Sequence, residues 1–525
     1  MNRRDFLRTA ASVAALPAPA IAQNTRAKTL RVVPHANLTL LDPHFTTALI
    51  TTNHGWAIYD TLFATNAKQE TQPQMAEGYT IEDNGRTCLI GLREGLKFHN
   101  GEPVLARDCA QSLQRWSARE ALGQMAAKFI ESWGVKDDKT IRISLKRPLP
   151  MLIPLMAKVG ATVPFIMPEH IAKTDPFKQV TETIGSGPFK FAKDEFVAGS
   201  RAVYTRNPDY LPRKEAADWT SGGKVAHFDR VEWHIIPDAA TAAAALQSGE
   251  VDWYEQVQPD LVPLLKANAN IRVGYANATG YNGILRFNHI QPPFNNVAIR
   301  RAVMMAVDQT DHMSAVTAAD PASYRICKAV LPCGTPDGRE LGAAQMQGDL
   351  NKARAALKDA GYNNEKVVIV SPSDFPTIGP LGDVTYDLLR KLGMNVEIVQ
   401  TDWGTATQRR NNRESVEKGG WSIIHTWGTT SAIGNPIAQF FLRGMGDKGW
   451  AGWFKDDLIE QLTEDWLLAP NDTERAAIAD RLQTHAFQVV PFVPLGQFQV
   501  RAAFSKSLAG QIEATGVYPW NVRRV

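Results

Sequence analysis

Long hydrophobic runs are missing from this 525-residue chain. Nothing after residue 22 approaches the roughly eighteen consecutive apolar residues of a membrane-spanning helix. Charge of one sign is missing too: the formal net charge is +3, and Arg3, Arg4 and Arg8 against Asp5 put +2 of it in the first 22 residues. The nearly neutral remainder offers no footprint for a polyanion, so nucleic acid is excluded as a partner. Cysteine is scarce, with only Cys88, Cys109, Cys327 and Cys333, and no metal-ligand spacing among them. Cys327 and Cys333 sit six apart across a proline-containing loop, RICKAVLPCGTP, and can close a small ring. Cys88 and Cys109 flank an expected hairpin, where either a disulfide or two buried thiols would fit.

Catalytic spacings are absent as well. There is no HExxH, no GxSxG and no Walker loop, and Gly185-Ser186-Gly187 reads as a plain turn. The eleven histidines never fall at i, i+4, so no helix presents a two-histidine metal face. His425, in a strand leading to a glycine loop, reads first as a buried structural histidine and second as a ligand contact. Asp456-Asp457 reads as a solvated helix start. No catalytic residue, metal site or cofactor is expected, and the chain is not read as an enzyme.

The most specific local signal is at the N-terminus. Asn2-Arg3-Arg4-Asp5-Phe6-Leu7-Arg8 precedes an uncharged, alanine-rich run that ends Ala20-Ile21-Ala22. Adjacent arginines, Phe-Leu, a weakly apolar segment and a small-x-small site describe a twin-arginine export signal cleaved after Ala22. No cysteine follows for lipid attachment, so a periplasmic mature protein starting at Gln23 is expected.

A chain this long, with 44% hydrophobic and 21% charged residues, exceeds one hydrophobic core and implies two or three domains. It is organised around 281–309, YNGILRFNHIQPPFNNVAIRRAVMMAVDQ: an apolar strand, a Pro292-Pro293 stop, then a helix with Ile299, Val303 and Ala306 on one face. This is the pattern of a chain leaving one lobe for another, although a strand–helix unit within one domain has the same local signature. Before it, TLRVVP is a strand, HGWAIYDTLFA a short helix, and turn signals Asp83-Asn84-Gly85 and Asn100-Gly101 bracket antiparallel hairpins. A helix starts after Leu105, KTIRISLKR is a strand, LMAKVGA is helix-like, and GSGPFKFAKDEF is a turn and strand. Asp238 caps a helix to Gln247 that Gly249 ends. After it, Val367–Val370, Pro380–Leu392, Val396–Val399, Trp403–Asn411 and Trp421–His425 alternate strand and helix, which describes an α/β lobe with a partly parallel sheet. Helices follow at 455–467 and 471–487, and 489–504 is extended, returning to the first lobe.

Six ordered tracts carry a resemblance: LRVVPHANLTLLDPHF, MAEGYTIEDNGRTCLIGLREGLKFHNGEPV, GSGPFKF, IPDAATAAAALQSGEVD, PPFNNVAIRRAVMMAVDQ and VVPFVPLGQ. From about residue 29 to the C-terminus the chain resembles the family 5 extracellular solute-binding proteins of ABC transporters, with dipeptide-, oligopeptide-, glutathione- and nickel-binding members. The resemblance implies an α/β, two-lobed periplasmic binding protein fold (type II, cluster C-like), with the ligand closed between lobes joined by two crossing strands. The boundaries expected are 1–22 for the signal, 23–285 for lobe I with an inserted subdomain at about 65–184 and completion by 496–525, and 286–495 for lobe II.

Peptide-binding relatives place an aspartate after the strand–Trp–Gly stretch for the peptide amine, whereas Trp427 to Pro436 here holds no acid. Dipeptide-binding relatives present an arginine after the first strand of lobe II, whereas Ser371 to Pro376 here offers Asp374 and no arginine. By position, the expected cleft residues are Phe45, Thr46, Thr47, Asp374, Phe375, Trp403, Trp427, Thr429 and Thr430. Arg286, which interrupts an apolar strand, is a candidate for an anionic ligand group, with a salt bridge across the two crossings as its alternative.

The expected function is that of a monomeric receptor that captures a small solute, a peptide or peptide-like compound first, and delivers it to an inner-membrane ABC permease. A nickel or other metal chelate, or another non-peptide molecule, stands second. A periplasmic hydrolase, which would show turnover, and a protein-binding sensor, which would show a large apolar patch, stand behind both.

Overall fold

The computed structural model describes residues 27–512 and 516–525; the export signal expected at 1–22 lies outside them. Two mixed sheets carry the architecture. The first has seven strands in the order Ile271–Tyr275, Arg501–Ser505, Trp253–Val257, Thr29–Val33, Arg230–His234, Arg201–Arg206, Phe189–Phe191. Thr29–Val33 runs parallel to both its neighbours, as its even burial requires. The second has six strands in the order Tyr324–Arg325, Phe492–Phe498, Tyr281–Phe287, Ile423–Thr429, Val367–Pro372, Val396–Thr401. Its parallel half, Val396–Thr401 on Val367–Pro372 on Ile423–Thr429, is the α/β lobe expected from the alternating segments. All six residues of Val367–Pro372 are buried, so this strand is the centre of that half.

A four-stranded antiparallel sheet, Ala76–Glu82, Thr87–Leu92, Thr140–Leu145 and Ile130–Asp137, lies within the first part of the chain. Its first hairpin closes at Asn84 and Gly85, both at positive φ. Helix Ala106–Arg119 buries Cys109, Leu113 and Trp116 with this sheet. Cys88 and Cys109 are separate buried thiols, and burial pushes the Cys88 thiol up to about 12. Cys327 and Cys333 are joined in a disulfide.

The chain changes sheet twice, at 276–280 and at 499–500, where Ala276 N donates to Val500 O at 2.9 Å. Tyr281–Phe287 and Phe492–Phe498 therefore lie wholly in the second sheet. A lobe boundary drawn at 285/286 would cut through a paired strand. The first helix runs Leu49–Ile58, earlier than HGWAIYDTLFA suggested. It stops where the 185–187 turn crosses it, and Gly187 N donates to Ile58 O at 2.9 Å. LMAKVGA is not a helix: only Leu152–Leu155 is, and Ala161 and Thr162 take positive φ.

Candidate functional site

A buried ion pair builds one wall of the interlobe cleft. Asp42 in the LLDPHF tract is fully buried, accepting from His44 N at 2.9 Å, Val180 N at 3.0 Å and Arg115 Nη2 at 2.7 Å. Arg115 also donates to the carbonyls of Thr174, Asp175 and Lys178. One guanidinium so ties three segments together, with each formal charge paired as burial requires. The loop it holds presents Phe45, Thr46 and Thr47, and Arg119 one turn further along the same helix donates from Nη2 to Phe45 O at 2.9 Å.

The facing wall is built over Arg286. This side chain is fully buried and meets no carboxylate among the described residues. Its Nε donates to Ala451 O at 2.9 Å, and Nη1 to Phe441 O at 2.7 Å and Pro491 O at 2.9 Å. Burial, and secondarily the Arg300 charge, lower its pKa to about 9. Gly452, at φ +100, lets the 449–453 loop close on it, since a Cβ there would lie 2.7 Å from Arg286 Nε. Arg286 is thus corrected from cleft residue to support. It is neither exposed to a ligand nor salt-bridged across the crossings, because backbone carbonyls use its donors. What it supports is Trp450, whose Nε1 donates across the cleft to Thr47 Oγ1 at 3.2 Å.

Between the walls lies a cavity of about 390 Å³. One side is formed by 40–47, 119–124, 161–162 and Phe177, the other by 407–411 and 440–453. A smaller space of about 40 Å³, reaching His35, Phe375, Trp403 and Trp427, shares Thr47, Arg410, Phe440 and Trp450 with it. The floor of this smaller space is a buried His35–Glu255 pair at 2.7 Å, with Asn53 Nδ2 also donating to Glu255 at 3.2 Å. Trp427 Nε1 donates to Thr377 Oγ1 at 2.9 Å, so this tryptophan is held in place from below.

Phe45, Thr46 and Thr47 line the main cavity, and Phe375, Trp403 and Trp427 the smaller one. Three others are placed elsewhere. Asp374 is exposed and accepts from Trp403 N at 2.8 Å, fixing the start of helix Trp403–Arg409; partial desolvation raises its pKa. Thr430 accepts from Asn282 Nδ2 at 3.0 Å, and Thr429 is buried in the strand, so neither reaches the cavity. His425 bonds Thr385 Oγ1 at 2.8 Å, which also meets His312 at 3.1 Å. Burial lowers the His425 pKa to about 3, leaving it neutral and structural. Among the described residues no three His, Cys, Asp or Glu side chains are grouped to hold a metal ion.

Sequence reasoning missed Arg119, Arg410 and Trp450. Arg410 sits in QRRNNR, where nothing in the string separates it from Arg409 and Arg413, and only the fold aims it inward. It lies 5.4 Å over the Trp450 ring and donates to Thr46 Oγ1 at 3.4 Å.

The profile of the Bacterial extracellular solute-binding proteins, family 5 Middle, matches residues 70–447. The probable peptide ABC transporter periplasmic-binding protein y4tO of Sinorhizobium fredii is 38% identical across 100% of this chain and 99% of its own length. Two solved structures share the fold. The binding protein AgaA of A. tumefaciens R10 in complex with agropinic acid has a TM-score of 0.80 at 21% identity, covering 95% of this chain and 99% of its own. The Helicobacter pylori protein DppA in complex with the peptide STSA has a TM-score of 0.78 at 22% identity, covering 96% and 99%.

Proposed function

The chain belongs to the family 5 bacterial extracellular solute-binding proteins, and from that premise we propose that it is the periplasmic receptor of an ABC importer. It captures a small peptide or peptide-like solute between its lobes and delivers it to the membrane permease as a monomer, with no bond made or broken. Carrying this reading is a single observation: the cavity of about 390 Å³ lies between two walls, 40–47 with 119–124 on one side and 407–411 with 440–453 on the other, and among the described residues only two short segments, 276–280 and 499–500, connect the two main sheets. Such a pair of segments suits hinge closure, and hydrogen bonds from Trp450 to Thr47 and from Arg410 to Thr46 latch the closed form.

Export to an oxidising compartment through the twin-arginine signal at 1–22 belongs to the same reading and is supported by the Cys327–Cys333 disulfide. The test is thermal melting of the mature protein against peptides, acylated amino acids, opines, metal–histidine complexes and sugars. A solute at a hundred times its dissociation constant stabilises by about 2.7 kcal/mol, and a shift confined to one chemical class is expected. A flat response in every class would refute the receptor reading.

A further inference from the structure

The arginines around the cavity fall into two groups. Arg115 is met by Asp42 and three carbonyls, Arg443 by both oxygens of Glu460 at 2.9 and 2.6 Å, and Arg286 by three carbonyls. Arg119 and Arg410 are different. Arg119 makes one hydrogen bond, to Phe45 O, and its buried Nε has no partner. Its guanidinium stacks 5.0 Å from both Phe45 and Phe177, the latter 62% exposed at the mouth. Arg410 makes one long bond to Thr46 Oγ1 and covers Trp450. Neither meets a carboxylate among the described residues, although a guanidinium carries five N–H donors.

The acids of the cavity cannot balance them. Glu120 is buried against Lys158 and accepts from Gly123 N at 2.9 Å, and Asp447 is an exposed rim residue paired with Arg413. Lys448 adds an exposed cation at the rim, so among the described residues the space holds two partly buried under-used guanidinium groups, one on each wall, and no free anion for an amine. Partly buried charges in this state gain most from a charged acceptor.

Resting on the receptor reading, we infer that Arg119 and Arg410 clamp a carboxylate of the solute from opposite lobes, and that the solute is a net-negative amino-acid or peptide derivative whose amine is blocked or alkylated. The clamp couples recognition to closure, because only the closed form brings both guanidinium groups onto one ligand. Phe45, Phe177 and Trp450 stack on its planar or apolar parts.

The test is calorimetric titration with two versions of one dipeptide library, N-acetylated with a free carboxylate and C-amidated with a free amine, and with agropinic acid. Binding is expected from the N-acetylated set or from agropinic acid, and not from the amidated set. Arg119→Gln and Arg410→Gln are each expected to weaken it on the order of ten- to a hundredfold, the value of a charge-assisted hydrogen bond, while exposed Lys68→Gln leaves it unchanged. Should a glutamine variant fail to melt cooperatively, Arg119→Lys and Arg410→Lys keep the charge without the fork and are expected to retain part of the affinity. Equal binding of the amidated set, or full affinity in both arginine variants, overturns the clamp and leaves the receptor reading intact. No binding from any version overturns the clamp, while the receptor reading is decided by the melting screen across all solute classes.

Discussion

Individual buried charges shape the walls of the cleft. Asp42 and Arg115 are both almost wholly inaccessible, so Asp42→Ala leaves an uncompensated guanidinium under the loop that presents Phe45 to Thr47. A loss of about 3–5 kcal/mol is expected in denaturant unfolding. Arg286→Met strips three carbonyls of their donors and is expected to cost about 3 kcal/mol or more, with binding weakened only through displacement of Trp450. Asp374→Ala is expected to cost about 1 kcal/mol, the value of a helix-start bond, and to leave affinity unchanged.

These contrasts explain why residue roles were only partly legible in the sequence. An arginine interrupting an apolar strand is equally compatible with a ligand group and with a bundle of backbone carbonyls. Nothing local separates Arg286, which three backbone carbonyls hold, from Arg410, which makes one long bond. The loop after the first strand stands out by position alone, and the buried Asp42 beneath it emerges only in the fold.

Elements were more legible than residues, for a physical reason: helix caps and strand periods are local. Asp238 does accept from Thr241 N at 2.7 Å and Gly249 does take φ 71, as the string required. Failures came where a distant segment intervened. Gly185-Ser186-Gly187 is more than a turn, since a Cβ on Gly185 would lie 1.8 Å from Ile58 O and one on Gly187 2.7 Å from the same carbonyl carbon. Gly185→Ala is therefore expected to destabilise by more than about 2 kcal/mol in a chemical melt, although its φ is one any residue adopts.

The His312–Thr385–His425 chain links helix Gln309–Thr317, helix Gly379–Lys391 and strand Ile423–Thr429. Burial holds these histidines at about 4 and about 3, against an ordinary 6.5. The unfolded chain therefore binds more protons below 6.5. Stability is full above that pH and falls as pH drops toward 4, by on the order of 2–3 kcal/mol for each such histidine. Replacing His425 with glutamine should flatten this acid limb in melts taken between pH 7 and 4. An unchanged slope would contradict it.

At the scale of the whole molecule, two sheets joined by two short segments lie on either side of the main cavity, and cross-cleft bonds such as Lys128 and Arg147 to Glu464 at 3.0 and 3.1 Å tie the two sides together at its edge. Such exposed pairs are weak, so the solute itself must supply most of the closing free energy. Trp450→Phe, which removes the bond to Thr47, should raise the fraction of open molecules without changing the melting of either lobe. A solute that closes the lobes on each other changes the size of the particle, which small-angle X-ray scattering measures. The mature protein is measured alone and with the saturating solute that raises its melting temperature. A smaller radius of gyration is expected on binding, with loss of that change in Arg410→Gln. An unchanged radius in the unliganded and liganded protein, with the solute demonstrably bound, would contradict it.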